Sequence, residues 1–438
     1  MSEPTTPAVI EGDLDLDDQN APSIDYARLY RLWEENNWSV YALDFSRDIH
    51  DWRETMTEEQ RAAARWNYSL FLQGEEAVAR TLAPFVNADL SQEQRVFITT
   101  QIVDEARHHV LFSRFMREVV GEGHDLTTTL DAIQPNLTPG FRRVFGELDR
   151  VTDRLRRQPH NRPLLARSIL LYHIVVEGLL AHPGQRFMRQ SFAENGLLPG
   201  FAEGIAHVAR DESRHMAFGI QTLTGLVAES RRNRSAVIAE LDRVLPWAVS
   251  VFMPPKGDEG YIRVFGIEPL DIYAFALRSL TAKLKRIGIS PTEVPALVKL
   301  GVDLPPEEQA QRTMRLLRAG VLGSGDIPVR MDDETTALLF DGLERLANMR
   351  PGAAGVLPGA IQWEFSDAAP WYLAPAAGQL RARQGQAENP ALTLRCTLAD
   401  WARIAGGRLN PRWAVATRRL KLSGDMRLAL RLPSLLGA

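Results

Sequence analysis

Two short motifs in the sequence combine a carboxylate and an imidazole three residues apart. One is Glu105-x-x-His108 and the other is Glu212-x-x-His215. Residues three apart lie on one face of a helix, about one turn apart, so each motif can offer both side chains to a single point. Carboxylate oxygens and imidazole nitrogens are ligands of first-row transition metals. The duplicated motif therefore predicts a metal site.

Two further glutamates precede the motifs in apolar, helix-like surroundings. Glu75 comes thirty residues before Glu105, and Glu177 comes thirty-five residues before Glu212. Each gap fits an antiparallel pair of helices. A Glu from each of two helices and a Glu-x-x-His from each of two others form the ligand set of ferritin-like dinuclear carboxylate proteins. The six predicted ligands are Glu75, Glu105, His108, Glu177, Glu212 and His215.

A pair of divalent metal ions would offset the cost of burying so many carboxylates. The alternative interpretation, a set of surface ion pairs, explains a single Glu-x-x-His motif but not two copies with the same flanking residues. Glu76 competes with Glu75 for the ligand role, and we favour Glu75, with Glu76 turned outward.

The residues next to the motif glutamates are also duplicated. Asp104 and Asp211 precede the two glutamates, and Arg107 and Arg214 follow them by two positions. An aspartate in this place can accept the free N–H of a ligand histidine, which sets the tautomer and raises the basicity of the ring. We favour that role over ordinary surface acids. The arginines either brace neighbouring carboxylates or lie in solvent, and the sequence does not decide between these positions.

Composition and charge exclude several other classes of protein. The chain has 438 residues and a net charge of −4, without a Lys/Arg-rich run, so nucleic acid is not an expected partner. Its one cysteine, Cys396, excludes an intrachain disulfide. Residues 1–21 are acidic and predict a disordered tail, and we expect a cytoplasmic protein. The most apolar stretch, residues 169–181, is too short to span a bilayer, so we expect no transmembrane segment.

Periodicity divides the chain into an all-α block and a later mixed block. Predicted helices cover residues 23–38, 57–86, 91–120, 139–157, 163–192, 199–228, 234–252, 270–287, 306–319 and 333–349, with a loop through 44–52. Predicted strands cover residues 360–365, 379–384, 391–397, 421–422 and 426–432, with a helix at 398–404. The predicted fold is a ferritin-like helical bundle followed by a small α+β domain.

The metal motifs carry a resemblance to the ribonucleotide-reductase small-subunit superfamily, and within it to the small-subunit-like ligand-binding oxidases. The resemblance implies a manganese–iron or di-iron pair, a long-chain fatty acid bound beside it, dioxygen as oxidant and a homodimer. It also implies an ether cross-link between a tyrosine and a valine, for which Tyr172 and Val78 occupy the corresponding positions. Reductase small subunits store a radical on a tyrosine. At the corresponding position this sequence has Phe112, which cannot form a tyrosyl radical.

The C-terminal block resembles the sterol-carrier type 2 lipid-binding domain. The residues that carry this likeness are 394–401, Gly406 to Pro411 and 421–425. The resemblance implies an apolar tunnel for acyl chains or sterols. We therefore expect an oxidase domain at 22–325 and a lipid-binding domain at 326–438.

Three function classes follow from these observations. The first is a dinuclear oxidase or oxygenase that activates dioxygen on a fatty acid or similar lipid and takes electrons from a donor of unknown identity. The second is a ribonucleotide-reductase-like small subunit or an iron store. The third is a lipid carrier with a structural metal site. The residues alone leave the choice between Fe/Fe and Mn/Fe open.

Overall fold

The structure is a computed structural model and describes residues 25–323, 327–349, 355 and 357–435. The predicted acidic tail at 1–21 lies outside these residues. The chain folds as two compact units, of which the first comprises residues 1–241 and 258–289 and the second comprises residues 242–257 and 290–438. The predicted fold class, a helical bundle followed by a small α+β region, is confirmed.

The described part of the first unit is built from α-helices joined by short turns. These helices are α1 (Tyr26–Glu35), α2 (Ser46–His50), α3 (Glu58–Thr81), α4 (Ala83–Val86), α5 (Gln92–Phe115), α6 (Leu126–Ile133), α7 (Pro139–Arg157), α8 (Arg162–Ile169), α9 (His182–Asn195), α10 (Pro199–Glu229), α11 (Arg231–Ala248), which ends in the second unit, α12 (Gly260–Arg263) and α13 (Pro269–Ile287). Three π-helical segments, Asp51–Thr55, Met116–Val120 and Leu170–Ala181, continue α2, α5 and α8.

Two of the long helices begin at reciprocal side-chain caps, each formed by residues three apart in the sequence. The Thr57 hydroxyl accepts the Gln60 amide N–H at 3.2 Å, and the Gln60 side chain accepts the Thr57 N–H at 2.9 Å. Ser91 and Gln94 form the same arrangement at the start of α5. Such a pair satisfies amide groups that a helix start leaves free. The predicted helix at 57–86 ends earlier, at Thr81, and α4 follows as a separate helix.

The start of α10 is held by carboxylates from a segment for which we predicted a loop. Residues 44 and 45 are not helical, but residues 46–52 form α2 and the beginning of a π-helical turn. Asp48, which is buried, accepts the amide N–H groups of Gly200 at 2.9 Å and Phe201 at 2.7 Å. Asp51 accepts that of Leu198 at 3.0 Å. A carboxylate at a helix N-terminus satisfies free amides and favours the helix dipole, so this contact fixes the start of α10. The loop prediction was wrong for residues 46–52, where Arg47 and Asp51, one helical turn apart, form an ion pair at 2.8 Å that supports the helix.

The helices that carry the predicted ligands pack against one another in the core of the first unit. Helix α3 packs against α5, and α10 packs against both α5 and the π-helical segment Leu170–Ala181. One stretch, Arg162–Asn195, is long and apolar enough to cross a membrane by length and composition. However, 89% of its most apolar window is buried inside the fold, as expected for a core helix.

The second unit carries a five-stranded sheet and further helices. Its strands are β1 (Ile361–Phe365), β2 (Trp371–Ala376), β3 (Gln379–Gln384), β4 (Leu392–Cys396) and β5 (Lys421–Gly424), in the order β3-β2-β1-β4-β5. Its remaining helices are α14 (Pro295–Lys299), α15 (Pro306–Arg318), α16 (Asp333–Ala347), α17 (Leu398–Ala405), α18 (Pro411–Ala416) and α19 (Met426–Leu435). Only β1 and β4 pair in parallel, and the fully buried Trp363 contacts Phe340 and Trp401 in its core.

Two predictions for this unit were wrong. Residues 426–432, predicted as a strand, lie in α19, because the Asp425 carboxylate caps the amides of Arg427 and Leu428. A short apolar run does not by itself distinguish a strand from a helix. Strand β2 was missed, because it contains Pro375. Its register with β1 covers only Trp371 to Leu373, so the proline lies beyond that ladder.

Candidate metal centre

The six predicted ligands come from four helical segments of the first unit. Glu75 lies on α3, Glu105 and His108 lie on α5, Glu177 lies on the π-helical segment Leu170–Ala181, and Glu212 and His215 lie on α10. All six side chains are buried, with at most 5% of any residue exposed. The π-helical segment is a local departure from the regular helix that the sequence predicts, and such turns occur frequently at functional sites.

These side chains form two overlapping groups of four. In each group, one ligand atom from every residue lies within 4.8 Å of the others. The first group is Glu75, Glu105, His108 and Glu212, and the second group is Glu105, Glu177, Glu212 and His215. Since Glu105 and Glu212 belong to both groups, their carboxylates would help to hold both metal ions.

Both imidazoles turn their Nδ1 atoms towards the carboxylates. Nδ1 of His108 lies 3.6 Å from Oε2 of Glu75 and 3.6 Å from Oε2 of Glu105. Nδ1 of His215 lies 3.3 Å from Oε1 of Glu105 and 3.4 Å from Oε2 of Glu212. The two rings therefore face one set of acids from two helices.

Several of these buried atoms have no hydrogen-bond partner in the described part of the chain. They are Oε2 of Glu105, Glu177 and Glu212, and Nδ1 of His108 and His215. A buried polar atom without a partner is costly, and native proteins rarely keep several in one place. Oxygen and nitrogen atoms that converge in this way are the donor set that iron and manganese accept. The residues present fit two metal ions.

The electrostatics of the metal-free centre follow from its burial. Burial raises the pKa of Glu75 to about 8 and raises the pKa of Glu177 well above its usual range. Burial disfavours the charged form of His108, but the hydrogen bond with Asp211 and the nearby glutamates raise its pKa well above the usual value. The pKa of His215 is raised in the same way, with Asp104 in the place of Asp211. Metal ions would displace protons from both imidazoles, so binding releases protons.

The aspartates of the two motifs hold the histidines crosswise. Oδ2 of Asp211 lies 3.1 Å from Nε2 of His108, and Oδ2 of Asp104 lies 3.1 Å from Nε2 of His215. Each aspartate therefore orients the histidine of the other helix rather than that of its own motif. With Nε2 donating to a carboxylate, Nδ1 of each ring is left to bind a metal ion.

Two tryptophans that sequence analysis missed complete this arrangement. Nε1 of Trp33 donates to Oδ1 of Asp104 at 2.9 Å, and Nε1 of Trp38 donates to Oδ2 of Asp211 at 2.8 Å. Both rings are half-buried. Because they come from the chain before α2, nothing in the local spacing connects them with motifs about seventy or more residues later.

The two motif arginines brace these aspartates, which decides the alternative that the sequence left open. Arg214 hydrogen-bonds to Oδ1 of Asp211, and its Nη2 lies 3.4 Å from Oδ2 of Asp104. Nη1 of Arg107 donates to Oδ1 of Asp104 at 2.9 Å. The Arg214 side chain is only 2% exposed, so it compensates charge in a dry environment.

We expect the substitution Asp211→Asn to weaken metal binding by about 10- to 100-fold, the usual effect of removing a carboxylate that orients a ligand histidine. Asparagine preserves the shape of the side chain but not its negative charge. Asp104→Asn should have an effect of similar size through His215. Affinity is measured by competition with a metal chelator, and Asp149→Asn, an exposed partner of Arg80, is the matched control. Unchanged affinity in both variants would show that these aspartates do not support the ligands.

A buried glutamine also reaches the centre. Nε2 of Gln101 donates to Oε1 of Glu177 at 2.8 Å. Oε1 of the same glutamine lies 3.1 Å from Nε2 of His173. Burial, with the nearby His215, lowers the pKa of His173 to about 3, so this ring is neutral. Gln101 was not predicted, although it precedes Glu105 by four residues and therefore shares its helix face.

Tyr172 and Val78 are both buried in the same unit. The Tyr172 hydroxyl donates to Oε1 of Glu105 at 2.8 Å, and burial together with Glu105 raises its pKa well above the usual value. Val78 follows Glu75 by three residues on α3 and therefore lies on the same helix face. Their role as cross-link partners stays a prediction.

Two other positions bear on the predicted assignments. Phe112 is fully buried, and its ring stacks on Phe71 with centroids 5.5 Å apart and planes 9° apart, in an apolar environment. Glu76 lies outside both ligand groups, where it accepts a hydrogen bond from Gln73 at 3.0 Å and pairs with Arg80 at 3.4 Å.

The model for the family described as "Ribonucleotide reductase, small chain" matches residues 21–250, which is more than half of the chain. The chain belongs to this family. A second model, for the SCP-2 sterol transfer family, matches residues 340–437. The chain thus joins a domain of the ribonucleotide reductase small-chain family to an SCP2 domain, as its residues predict.

Solved structures of variants of R2-like ligand-binding oxidase are similar to the helical part of this family member. One variant with an anaerobically reconstituted Mn/Fe cofactor is 27% identical, with a TM-score of 0.53, over 62% of this chain and 95% of that one. A variant with an aerobically reconstituted Mn/Fe cofactor gives the same values. A third, reconstituted anaerobically, is 28% identical with a TM-score of 0.51, over the same shares of both chains. This likeness and the carboxylate–histidine site support a dinuclear metal oxidase, an oxidoreductase.

Proposed function

We propose that this protein is a dinuclear Fe/Fe or Mn/Fe oxidase that reduces dioxygen and acts on a fatty acid or similar lipid. The observation that carries the proposal is the pair of overlapping ligand groups, with five buried ligand atoms that have no partner among the described residues. We assign the metal chemistry to residues 22–325 and lipid binding to residues 326–438. We expect a cytoplasmic homodimer that takes electrons from a separate donor.

In this proposal the protein's own side chains hold the centre in one geometry. Glu105 and Glu212 would each contribute to holding both ions, and Gln101 would orient the Glu177 carboxylate through its amide. The hydroxyl of Tyr172 holds a proton 2.8 Å from Oε1 of Glu105. When bound, the metal ions would supply electrons and open coordination positions for dioxygen reduction.

The lipid part of the proposal is supported by the fused SCP2 domain and by the likeness to ligand-binding oxidases. It is tested with protein loaded with Fe(II), or with Fe(II) and Mn(II), in an oxygen electrode. A long-chain fatty acid should increase oxygen consumption and yield an oxidised product by mass spectrometry, whereas Glu105→Ala should show neither effect. Oxygen consumption that no lipid changes would contradict the substrate class but not the oxidase.

We expect that exposure of the metal-loaded protein to oxygen forms an ether bond between the Tyr172 oxygen and a carbon of Val78. This reaction breaks one O–H and one C–H bond, and dioxygen takes the two protons and two electrons. Intact protein should then lack two hydrogens compared with protein loaded without oxygen, and Tyr172→Phe should keep its mass. If the tryptic peptides that carry the two residues stay separate, this proposal is wrong.

Three other functions are less well supported. A reductase small subunit is disfavoured because Phe112 stands at the radical tyrosine position. A lipid carrier with a structural metal site is favoured by the SCP2 match alone, and it predicts stoichiometric metal that does not respond to oxygen. Iron storage would need a self-assembling cage, which the fused domain makes awkward.

A further inference from the structure

Helix α18 in the second unit turns its largest residue to solvent. Trp413 is 62% exposed, whereas the neighbouring Ala414 is fully buried and faces the core. Packing alone would favour the opposite arrangement, because a tryptophan buries far more apolar area than an alanine. Val415, next along the helix, is 41% exposed. Helix α18 therefore presents two apolar side chains that no element of the described residues covers.

Helix α19 is apolar on two opposite faces. Leu428 and Leu432, four residues apart, are 3% and 9% exposed and pack into the core. Met426 and Leu430, also four residues apart, are 52% and 82% exposed. At 100° per residue, the second pair lies on the side of the helix opposite to the first. A helix with an apolar outer face needs a partner or an apolar solvent for that face.

The same segment is strongly basic. Arg412, Arg418, Lys421 and Arg427 are exposed and form no ion pair with any residue that the structure describes. The one acidic residue between positions 411 and 430 is Asp425, whose carboxylate oxygen is used to cap α19. We call residues 411–430 the C-terminal surface. It combines exposed apolar side chains with unpaired positive charge.

We propose that the C-terminal surface docks on a membrane that contains anionic phospholipids. Trp413, Met426 and Leu430 enter the boundary between headgroups and acyl chains, a region in which tryptophan is enriched. The arginines and lysine of the same segment contact lipid phosphates. Helices with an apolar face and flanking basic residues bind such surfaces by combining buried apolar area with electrostatic attraction.

The charge of the C-terminal surface favours this partner over a second copy of the chain. A two-fold interface places the same patch on both subunits, so the four unpaired cations would face their own copies. An anionic leaflet presents the opposite sign across the whole contact. The proposal does not depend on the metal centre, so it can be tested with metal-free protein.

The test measures co-sedimentation of the full chain with phosphatidylcholine vesicles, with and without phosphatidylserine. We expect binding only to vesicles with phosphatidylserine, and binding that falls as salt rises, because salt screens exposed charges. The double variant Trp413→Ala/Leu430→Ser should bind at least about tenfold more weakly, because each side chain contributes buried apolar area. Tyr41→Ala, which removes an aromatic ring that is 80% exposed in the first unit, is the matched control and should bind normally.

A second variant separates the charge from the apolar side chains. Replacing Arg412, Arg418, Lys421 and Arg427 with glutamine should abolish the preference for phosphatidylserine, and circular dichroism checks that it folds. Equal binding to both kinds of vesicle, no binding to either, or unchanged binding of both variants would overturn the proposal. It would also be overturned if the double variant changed only self-association in sedimentation, because the surface would then bind a second copy.

Discussion

Glu105→Ala should lose both metal ions, whereas Glu75→Ala should retain one. Glu105 belongs to both ligand groups, and Glu75 belongs only to the group that contains His108. Removing a shared carboxylate takes a ligand from each ion, while removing a terminal carboxylate takes one ligand from a single ion. For a dinuclear site of this type we expect about two ions per chain in the wild type, about one in Glu75→Ala and close to none in Glu105→Ala.

The measurement is metal content after anaerobic loading with Fe(II) and removal of weakly bound metal. Glu76→Ala is the matched control, because Glu76 is adjacent in sequence but pairs with Arg80 outside the ligand groups. Circular dichroism verifies that each variant keeps its helices. Full metal content in Glu105→Ala would contradict the role of Glu105 in holding both ions, and loss of metal in Glu76→Ala would move the ligand assignment to that residue.

Arg214→Met should destabilise the metal-free first unit by about 3–5 kcal/mol, the usual cost of removing one partner from a buried ion pair. The Arg214 side chain is 2% exposed and contacts both Asp104 and Asp211. Methionine has a similar length but leaves two buried carboxylates with less compensation. Because burial otherwise opposes the charged form of Asp211, its low pKa depends on His108 and on this arginine.

Urea unfolding of the metal-free protein, followed by circular dichroism, measures this effect. Arg80→Met is the control, since this ion pair is exposed and contributes about 0–1 kcal/mol. Arg214→Lys should fall between the two variants, because one ammonium group does not reproduce the planar fork of a guanidinium. A loss below about 1 kcal/mol in Arg214→Met would show that the arginine is not needed to compensate these aspartates.

The chemistry of the centre was accessible from the sequence because helix geometry relates the motif residues to one another. A glutamate and a histidine three apart must share a face, and two such motifs with two preceding glutamates define the ligand set. The same local geometry would have identified Gln101, one turn before Glu105. The reciprocal caps at Thr57 and Ser91 were predictable for the same reason, since both depend on residues within one turn.

The contacts that position the centre were not accessible in this way, because they join distant parts of the chain. The crosswise pairing of Asp211 with His108 depends on how α5 and α10 pack, and not on spacing within either motif. The caps that Asp48 and Asp51 supply to α10 span about 150 residues of sequence. Helix α19 was mistaken for a strand because residues 426–432, which are apolar except for two arginines, fit both the period of a strand and that of a helix.

The most direct test of the dinuclear oxidase is metal content combined with an optical spectrum. Protein is loaded anaerobically with Fe(II), or with Fe(II) and Mn(II), and is then exposed to oxygen. We predict about two metal ions per chain and a new charge-transfer band that appears only after oxygen is admitted. Stoichiometric metal without an oxygen response would indicate a structural site in a lipid carrier, and protein without metal would contradict the ligand assignment itself.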